Sequence, residues 1–321
     1  MSLSHDIADY PEGIVLAVDK PYRWTSADVI RKLKYAAIRH FRKKNLKVGH
    51  AGTLDPLATG VLLVCIGPAC RRAQELQDHD KEYIATVRFG ATTPSYDLEK
   101  EVDRTFPYAH ITETAVREAL KGFVGEQEQV APLFSAKSVD GVRSYELARK
   151  LYRSGRFSEI DATALETLHR SRIVISEIEL LDFTPARPAT GTPAADALPN
   201  GSDLPGPSAL PTPPIAGDGP LPLMWPGVAT GPDRSLPSGQ VGSASARIHV
   251  ADTASLGLPE ARIRIVCSKG TYIRAFARDL GEALGSGAHL SGLIRSRSGD
   301  YRLAEALSVE EALSLFYVDL A

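Results

Sequence analysis

Between Lys47 and Gly60 the chain reads KVGHAGTLDPLATG, with a single carboxylate, Asp55, in a glycine-punctuated run. A lone carboxylate offers nucleophilic or base chemistry. Gly49, Gly52 and Gly60 allow tight turns, and Asp55-Pro56 is a common turn dipeptide, which by itself is more often structural than reactive. The order GxxxxGK(S/T) is absent, so this is not a phosphate-cradling P-loop. Just upstream, from Arg31 to His50, lie eight Lys or Arg and no Asp or Glu. That cluster can neutralise several phosphates although the net charge of the chain is −2. It would equally serve as a solvated helix face.

The elements that must hold these residues are legible from periodicity. Ile14 to Val18 reads as a short buried strand. A helix follows, capped by Thr25 or Ser26, with Asp28 at its positive end and Ile30, Leu33, Ala37 and Phe41 on one face. Val61 to Ile66 is a continuous apolar run suited to a central strand. Glu82 to Thr92 alternates, with Tyr83, Ala85, Val87 and Phe89 on one side. Thr112 to Phe123 and Tyr272 to Leu284 have helical spacing, Arg172 to Phe183 and Ala261 to Cys267 are strand candidates, and Ser308 with Glu311 forms a capping box. The irregular interleaving predicts an α+β fold with a mixed sheet.

At 321 residues the chain suits one large domain. The segment Pro185 to Pro237 holds 14 of its 22 prolines and no Lys. Such a composition cannot bury enough apolar surface to offset its ordering entropy. We therefore expect a single domain over 1–321 interrupted at 185–249 by a disordered insertion. No apolar run approaches the ~20 residues that span a bilayer, and the start MSLSHDIADYPEG lacks the pattern of an export signal. Cys65, Cys70 and Cys267 lack the spacing of a zinc site or a disulfide framework. A reducing cytoplasm is expected, with no metal and no membrane partner.

The whole string Lys47–Gly60 resembles the catalytic motif of TruB-type tRNA pseudouridine synthases. The resemblance extends through GIVLAVDKPYRWTS, Lys81-Glu82-Tyr83, FGATTPSYD (Phe89–Asp97), QVAPLFSAKSVDGVRSYELAR (Gln129–Arg149, with Ala131 where proline is usual), CSKGTYIRAFARDLG (Cys267–Gly281) and GAHLSGLIR (Gly287–Arg295). It implies the pseudouridine synthase catalytic fold, with a mixed, largely antiparallel sheet flanked by helices and loops. It also implies isomerisation of uridine-55 in the T loop of tRNA, by base flipping and aspartate catalysis and without any cofactor. Asp55 would be the catalytic carboxylate and Arg274 its partner. Tyr83 would stack on the extruded base, and its hydroxyl or that of Tyr272 would serve late proton transfer. His50 would help remodel the RNA loop, Leu293 would pack in the uracil pocket, and Lys20 and Asp97 would reach RNA backbone and loop nucleotides. The C-terminal RNA-binding PUA module of typical bacterial members is expected to be absent, since about twenty residues follow Asp300. The partner would be the tRNA T arm, bound by a monomer. Alternatives are a synthase for T-loop-like hairpins in other RNAs, and an RNA-folding chaperone.

Overall fold

Nine residues, Ala58–Ile66, form a strand with a single position that is not fully buried, the signature of a strand covered on both faces. In the computed structural model, which describes residues 3–135, 138–139, 142–156, 159–168, 170–187 and 248–316, this strand is β3 of a nine-stranded sheet. The others are β1 (Ile14–Lys20), β2 (Val48–Ala51), β4 (Lys81–Phe89), β5 (Gly125–Gln129), β6 (Ser171–Thr184), β7 (Glu260–Cys267), β8 (Ala288–Ser298) and β9 (Tyr301–Arg302). Their order is β1-β3-β8-β4-β7-β6-β5, with β2 also on β3 and β9 on β8. Only β8 and β3 run parallel; the sheet is mixed and largely antiparallel, as the sequence implied. Two short ribbons, Ala91–Thr92 with Arg104–Thr105 and Ser138–Val139 with Val142–Arg143, lie outside it.

Helices α1 (Ser26–His40) and α7 (Val309–Ser314) share a core with β1 and β3, built on Val18, Val29, Leu33, Leu62 and Val64. Thr25 caps α1 and forms a full capping box with Asp28. The inward face of α1 is Val29, Leu33, Ala36, Ala37 and His40; Ile30 lies only half inside. Its outward face and the following loop expose all eight cations of the basic run. Helix α2 (Ala73–Asp78) follows β3, and helices α3 (Glu113–Leu120) and α6 (Ile273–Ala283) cover β4, β6 and β7 in a second core, around Val87, Val116, Ile263, Phe276 and Leu280. Each buried aliphatic of this kind contributes about 1.5–3 kcal/mol. A third cluster joins the loop Val130–Phe134 to α4 (Ser144–Arg153) and α5 (Glu159–Thr167). Ser308 and Glu311 form the expected capping box on α7. The Pro-rich insertion proposed at 185–249 falls, for 188–247, outside the described residues.

The place where the sheet forks positions the site. β2 pairs with β3 at residues 63–66, and β8 pairs with it at 58–60. The six residues joining β2 to β3, which include Asp55, fill that fork. Gly60 is what lets β8 approach: its φ is +101°, and a Cβ there would lie 2.3 Å from the Arg295 carbonyl oxygen. Gly60→Ala is therefore expected to destabilise the fold by about 3 kcal/mol or more. A chemical-denaturation midpoint close to wild type would contradict that account of the fork.

Candidate active site

The Asp55 loop is braced from three sides. From α1, the Ser26 hydroxyl accepts from the Leu54 N–H and donates to the Leu54 carbonyl, both at 3.0 Å. From the turn after β1, the Arg23 N–H and the Lys20 ammonium donate to the Pro56 carbonyl at 2.9 and 3.3 Å. From β8, the Arg295 guanidinium donates to the Gly52 carbonyl at 3.1 Å and reaches that of Thr53 at 3.5 Å. With its backbone held this way, Asp55 turns its side chain outward, 37% exposed.

Arg274, on the first turn of α6, meets it. Its Nε donates to Asp55 Oδ2 at 2.9 Å and its Nη2 to Oδ1 at 3.1 Å, a two-point fork. Nη1 donates to the Ser95 carbonyl at 3.2 Å, and Asp97 Oδ2 lies 3.7 Å from Nε. Burial works against the Arg274 charge, but Asp55 and Asp97 outweigh it and raise its pKa above the ordinary arginine value. Asp97 is itself buried. It accepts from the Ser95 hydroxyl at 2.6 Å and the Glu99 N–H at 2.9 Å. Burial pushes its carboxyl up to about 6 although Arg274 opposes the rise.

Two cavities meet at Asp55, Arg274 and Leu293. One, of about 300 Å³, is bounded also by Tyr22, Asp97 and Leu98. The other is an open groove of about 1510 Å³ that Tyr83, Tyr272 and Arg295 help to line. Tyr83 and Leu293 pack against both main cores, so they stand at the seam where the two meet. The main chain of Tyr272 is clasped by Gln129, whose side-chain oxygen accepts from the Tyr272 N–H at 2.8 Å and whose amide donates to the Tyr272 carbonyl at 3.2 Å.

Asp55, Tyr83, Arg274, Tyr272, Asp97 and Leu293 are thus brought together; Lys20 and His50 are not. Lys20 was expected at the RNA backbone, but it is fully buried and donates to the carbonyls of Pro21, Trp24 and Pro56. With all three ammonium protons engaged it braces the loop from behind and has none for a phosphate. Asp97, expected at loop nucleotides, lines the smaller cavity and lies 3.7 Å from Arg274 Nε. His50 sits half-buried on β2 and lines neither cavity; burial, then Arg295, lowers its pKa, and its Nδ1 has no partner among the described residues. Sequence reasoning took Ser26 only as an alternative helix cap and assigned no role to Gln129 or Arg295. Arg295 left one signal, a charge closing the apolar run of β8. Among the described residues no group of three His, Cys, Asp or Glu is placed to hold a metal ion, and no helix is long and apolar enough to cross a membrane.

Burial lowers the Lys20 pKa from 10.5 to about 7, against the pull of Asp55 and Asp19. Between those values the unfolded chain holds the proton that the folded chain has released, so stability rises with pH across that window. Lys20→Met should abolish the rise, read as unfolding free energy at about pH 7 and about pH 9. An unchanged slope would refute the assignment.

The model of the family described as "TruB family pseudouridylate synthase (N terminal domain)" matches residues 39–187. A tRNA pseudouridine synthase B of Phocaeicola vulgatus is 43% identical over 302 residues, covering 94% of this chain and 92% of the relative. The chain belongs to the TruB family. A tRNA pseudouridine synthase B of Bacteroides fragilis is 42% identical over 93% of the chain and 92% of its own length. That of Deinococcus radiodurans is 34% identical over 92% and 77%. Among solved structures, a Cbf5-Nop10-Gar1 complex matches at TM-score 0.52 and 20% identity, and an H/ACA RNP bound to a substrate RNA containing 2'-deoxyuridine at 0.50 and 19%. Each match covers 97% of this chain and 56% of the other, and shows the shared fold.

Proposed function

We propose that this TruB-family chain is a tRNA pseudouridine synthase that isomerises uridine-55 in the T loop. The observation that carries the reading is the Asp55 carboxylate, gripped at two points by Arg274 on the wall between two cavities. A carboxylate has about four lone-pair sites. Arg274 occupies two of them, and Asp55 lines the groove, where the ribose of an extruded nucleotide would lie.

The reaction breaks the N1–C1' bond of uridine, turns the ring, joins C5 to C1', removes the C5 proton and returns a proton to N1. It is redox-neutral and consumes no water. Asp55 supplies the electron pair at the ribose, as nucleophile or base. Arg274 orients that carboxylate, and Asp97 with the Ser95 carbonyl fixes Arg274. A stacked uridine must leave its helix to reach Asp55, at an unstacking cost of a few kcal/mol. Stacking on Tyr83 can return ~1–3 kcal/mol, and Leu293 supplies the apolar side of the base pocket. His50 is assigned to the RNA loop. The eight exposed cations from Arg31 to Lys47 form the phosphate track; among the described residues only Arg31 of these pairs with a carboxylate, Asp28. The same reading makes the enzyme a cytoplasmic monomer acting on the T arm, in line with three free cysteines, and makes 185–249 an insertion in one catalytic domain.

The test is tritium release from 5-tritiated uridine in an unmodified T-arm hairpin and in full tRNA. Release that disappears when the target uridine is replaced supports the reaction and the site. No release from either RNA, by folded protein that binds them, would overturn the reading.

A further inference from the structure

Tyr35 lies on the outward face of α1 at 61% exposure, the highest of any large apolar side chain among the described residues. It packs into none of the hydrophobic cores. Cations surround it. Arg31 and Lys32 stand one turn before it and Arg39 one turn after, on the same face. Trp24, just ahead of the helix, shows the ordinary use of an aromatic here: it packs on the core, and Lys32 covers it at 4.7 Å from the ring centroid. Tyr35 has no such duty. The Arg39 guanidinium lies 5.6 Å from its ring centroid, and Arg39 Nη1 donates to its hydroxyl at 3.4 Å. The rest of the ring meets solvent.

A face that met only phosphates would need cations and no exposed ring. An aromatic set among cations suits RNA whose bases are unstacked, because the ring takes a base and the cations take the adjoining phosphates. A place for such a phosphate is at hand. Lys34, the residue before Tyr35, opens a hollow of about 830 Å³ with Lys44, Asn45 and Lys47. Among the described residues none of these three lysines pairs with a carboxylate. We propose that Tyr35 and this lysine hollow form a nucleotide subsite, in which the ring stacks on an unpaired base of the tRNA outside the T arm and the hollow takes the phosphate beside it.

The inference rests on the tRNA synthase reading of the groove, and the length of α1 sets where the base comes from. Ser26, at the start of α1, is bonded to Leu54 next to Asp55. Tyr35 is nine residues beyond Ser26, which at the helical rise is about 13 Å. The extruded uridine and its immediate neighbours belong at Asp55 and do not reach that far. The stem of the T arm is paired, and a paired, stacked base offers no face to a side chain. An unpaired base on Tyr35 therefore belongs to another part of the same RNA. Stacking on a neutral ring releases no counterions, whereas each lysine–phosphate contact does. The two halves of the subsite can thus be told apart by salt.

Anisotropy titrations over a range of salt, with full tRNA and with the T-arm hairpin, test the proposal in wild type, Tyr35→Ala, Tyr35→Phe and Lys44→Ala. We expect Tyr35→Ala to weaken binding of full tRNA about 5- to 150-fold, with the salt slope of wild type, and to leave hairpin binding unchanged. Tyr35→Phe keeps the ring and should bind as wild type does. Lys44→Ala should lower the salt slope on full tRNA by about one phosphate contact. Tritium release at saturating tRNA should be unchanged in Tyr35→Ala, since the lost contact is remote from the reacting atoms. An exposed position tolerates alanine, and a melting curve checks that the fold is intact. No loss in Tyr35→Ala, an equal loss on both RNAs, a loss shared by Tyr35→Phe, or an unchanged slope in Lys44→Ala would overturn the proposal. Failure of the underlying reading is distinct, because the wild type would then bind tRNA and release no tritium.

Discussion

Asp55→Asn is expected to lower tritium release by about 10⁴-fold or more, the order seen when a group without which the chemistry cannot begin is removed. Asparagine matches the shape of aspartate and can still accept one hydrogen bond from Arg274, but it has no charge to supply at the ribose. No neighbour can stand in. Asp97 is the nearest other carboxylate to Arg274, but its Oδ1 is taken by Ser95 and the Glu99 N–H and its Oδ2 lies against the guanidinium at 3.7 Å from Nε. The cost in stability should be small, on the order of 1 kcal/mol, because Asp55 is more than one-third exposed and its ion pair is screened by solvent. Affinity for the hairpin should hold or rise slightly, since one negative charge has left an RNA-facing groove. The comparison needs single-turnover rates, a melting curve and an anisotropy titration on the same preparation. Residual turnover above about 1% of wild type, with full binding, would remove Asp55 from the chemistry.

What could be read from residues alone divides along physical lines. Helix α1 was readable because its cap, its acidic first turn and its apolar spacing are all local, and the structure moved only the edge of its inward face, from Ile30 to Val29. The face Tyr83, Ala85, Val87, Phe89 was also right, and its last three members are fully buried. That Tyr83 ends this face at the seam of two cores is a tertiary fact with no local trace. Strand β8 went unread although its residues were singled out by resemblance. Its ladder to β4 shifts register at Leu290/Gly292 and again at Arg295/Arg297. Each bulge reverses the inside-outside alternation that periodicity relies on. The strand GEQEQ of β5 has no apolar alternation to find, and it pairs only at the end of the sheet. Lys20 was misplaced for a related reason. A lysine is expected outside, and the three carbonyls that hold it inward come together only when the turn after β1 closes over Pro56.

The Arg274 fork is the second point at which a small change should have a large effect. Arg274→Lys keeps the charge, but one ammonium cannot bond both oxygens of Asp55 and the Ser95 carbonyl while lying beside Asp97. We expect a rate loss of about 10²–10³-fold from the misdirected carboxylate. Arg274→Met goes further, leaving two carboxylates without a cation, at a cost of about 3 kcal/mol or more. That cost should depend on pH in a definite direction. Asp97 already stands near 6 against an ordinary 3.8, raised by burial and held down in part by Arg274; without Arg274 it must rise further. A carboxyl whose folded pKa exceeds its unfolded value is protonated in the native state while the unfolded chain has ionised. Its contribution is therefore fully present below the unfolded value and declines as pH climbs toward the folded one. In wild type that decline spans from 3.8 to about 6; in Arg274→Met it should continue to higher pH. The stability gap between the two proteins should be modest near pH 5 and wider near pH 8, as measured by denaturant unfolding. A gap of equal size at both values would mean that Arg274 does not compensate Asp97, and the ordering of Asp55 would then have to be sought in the loop braces alone.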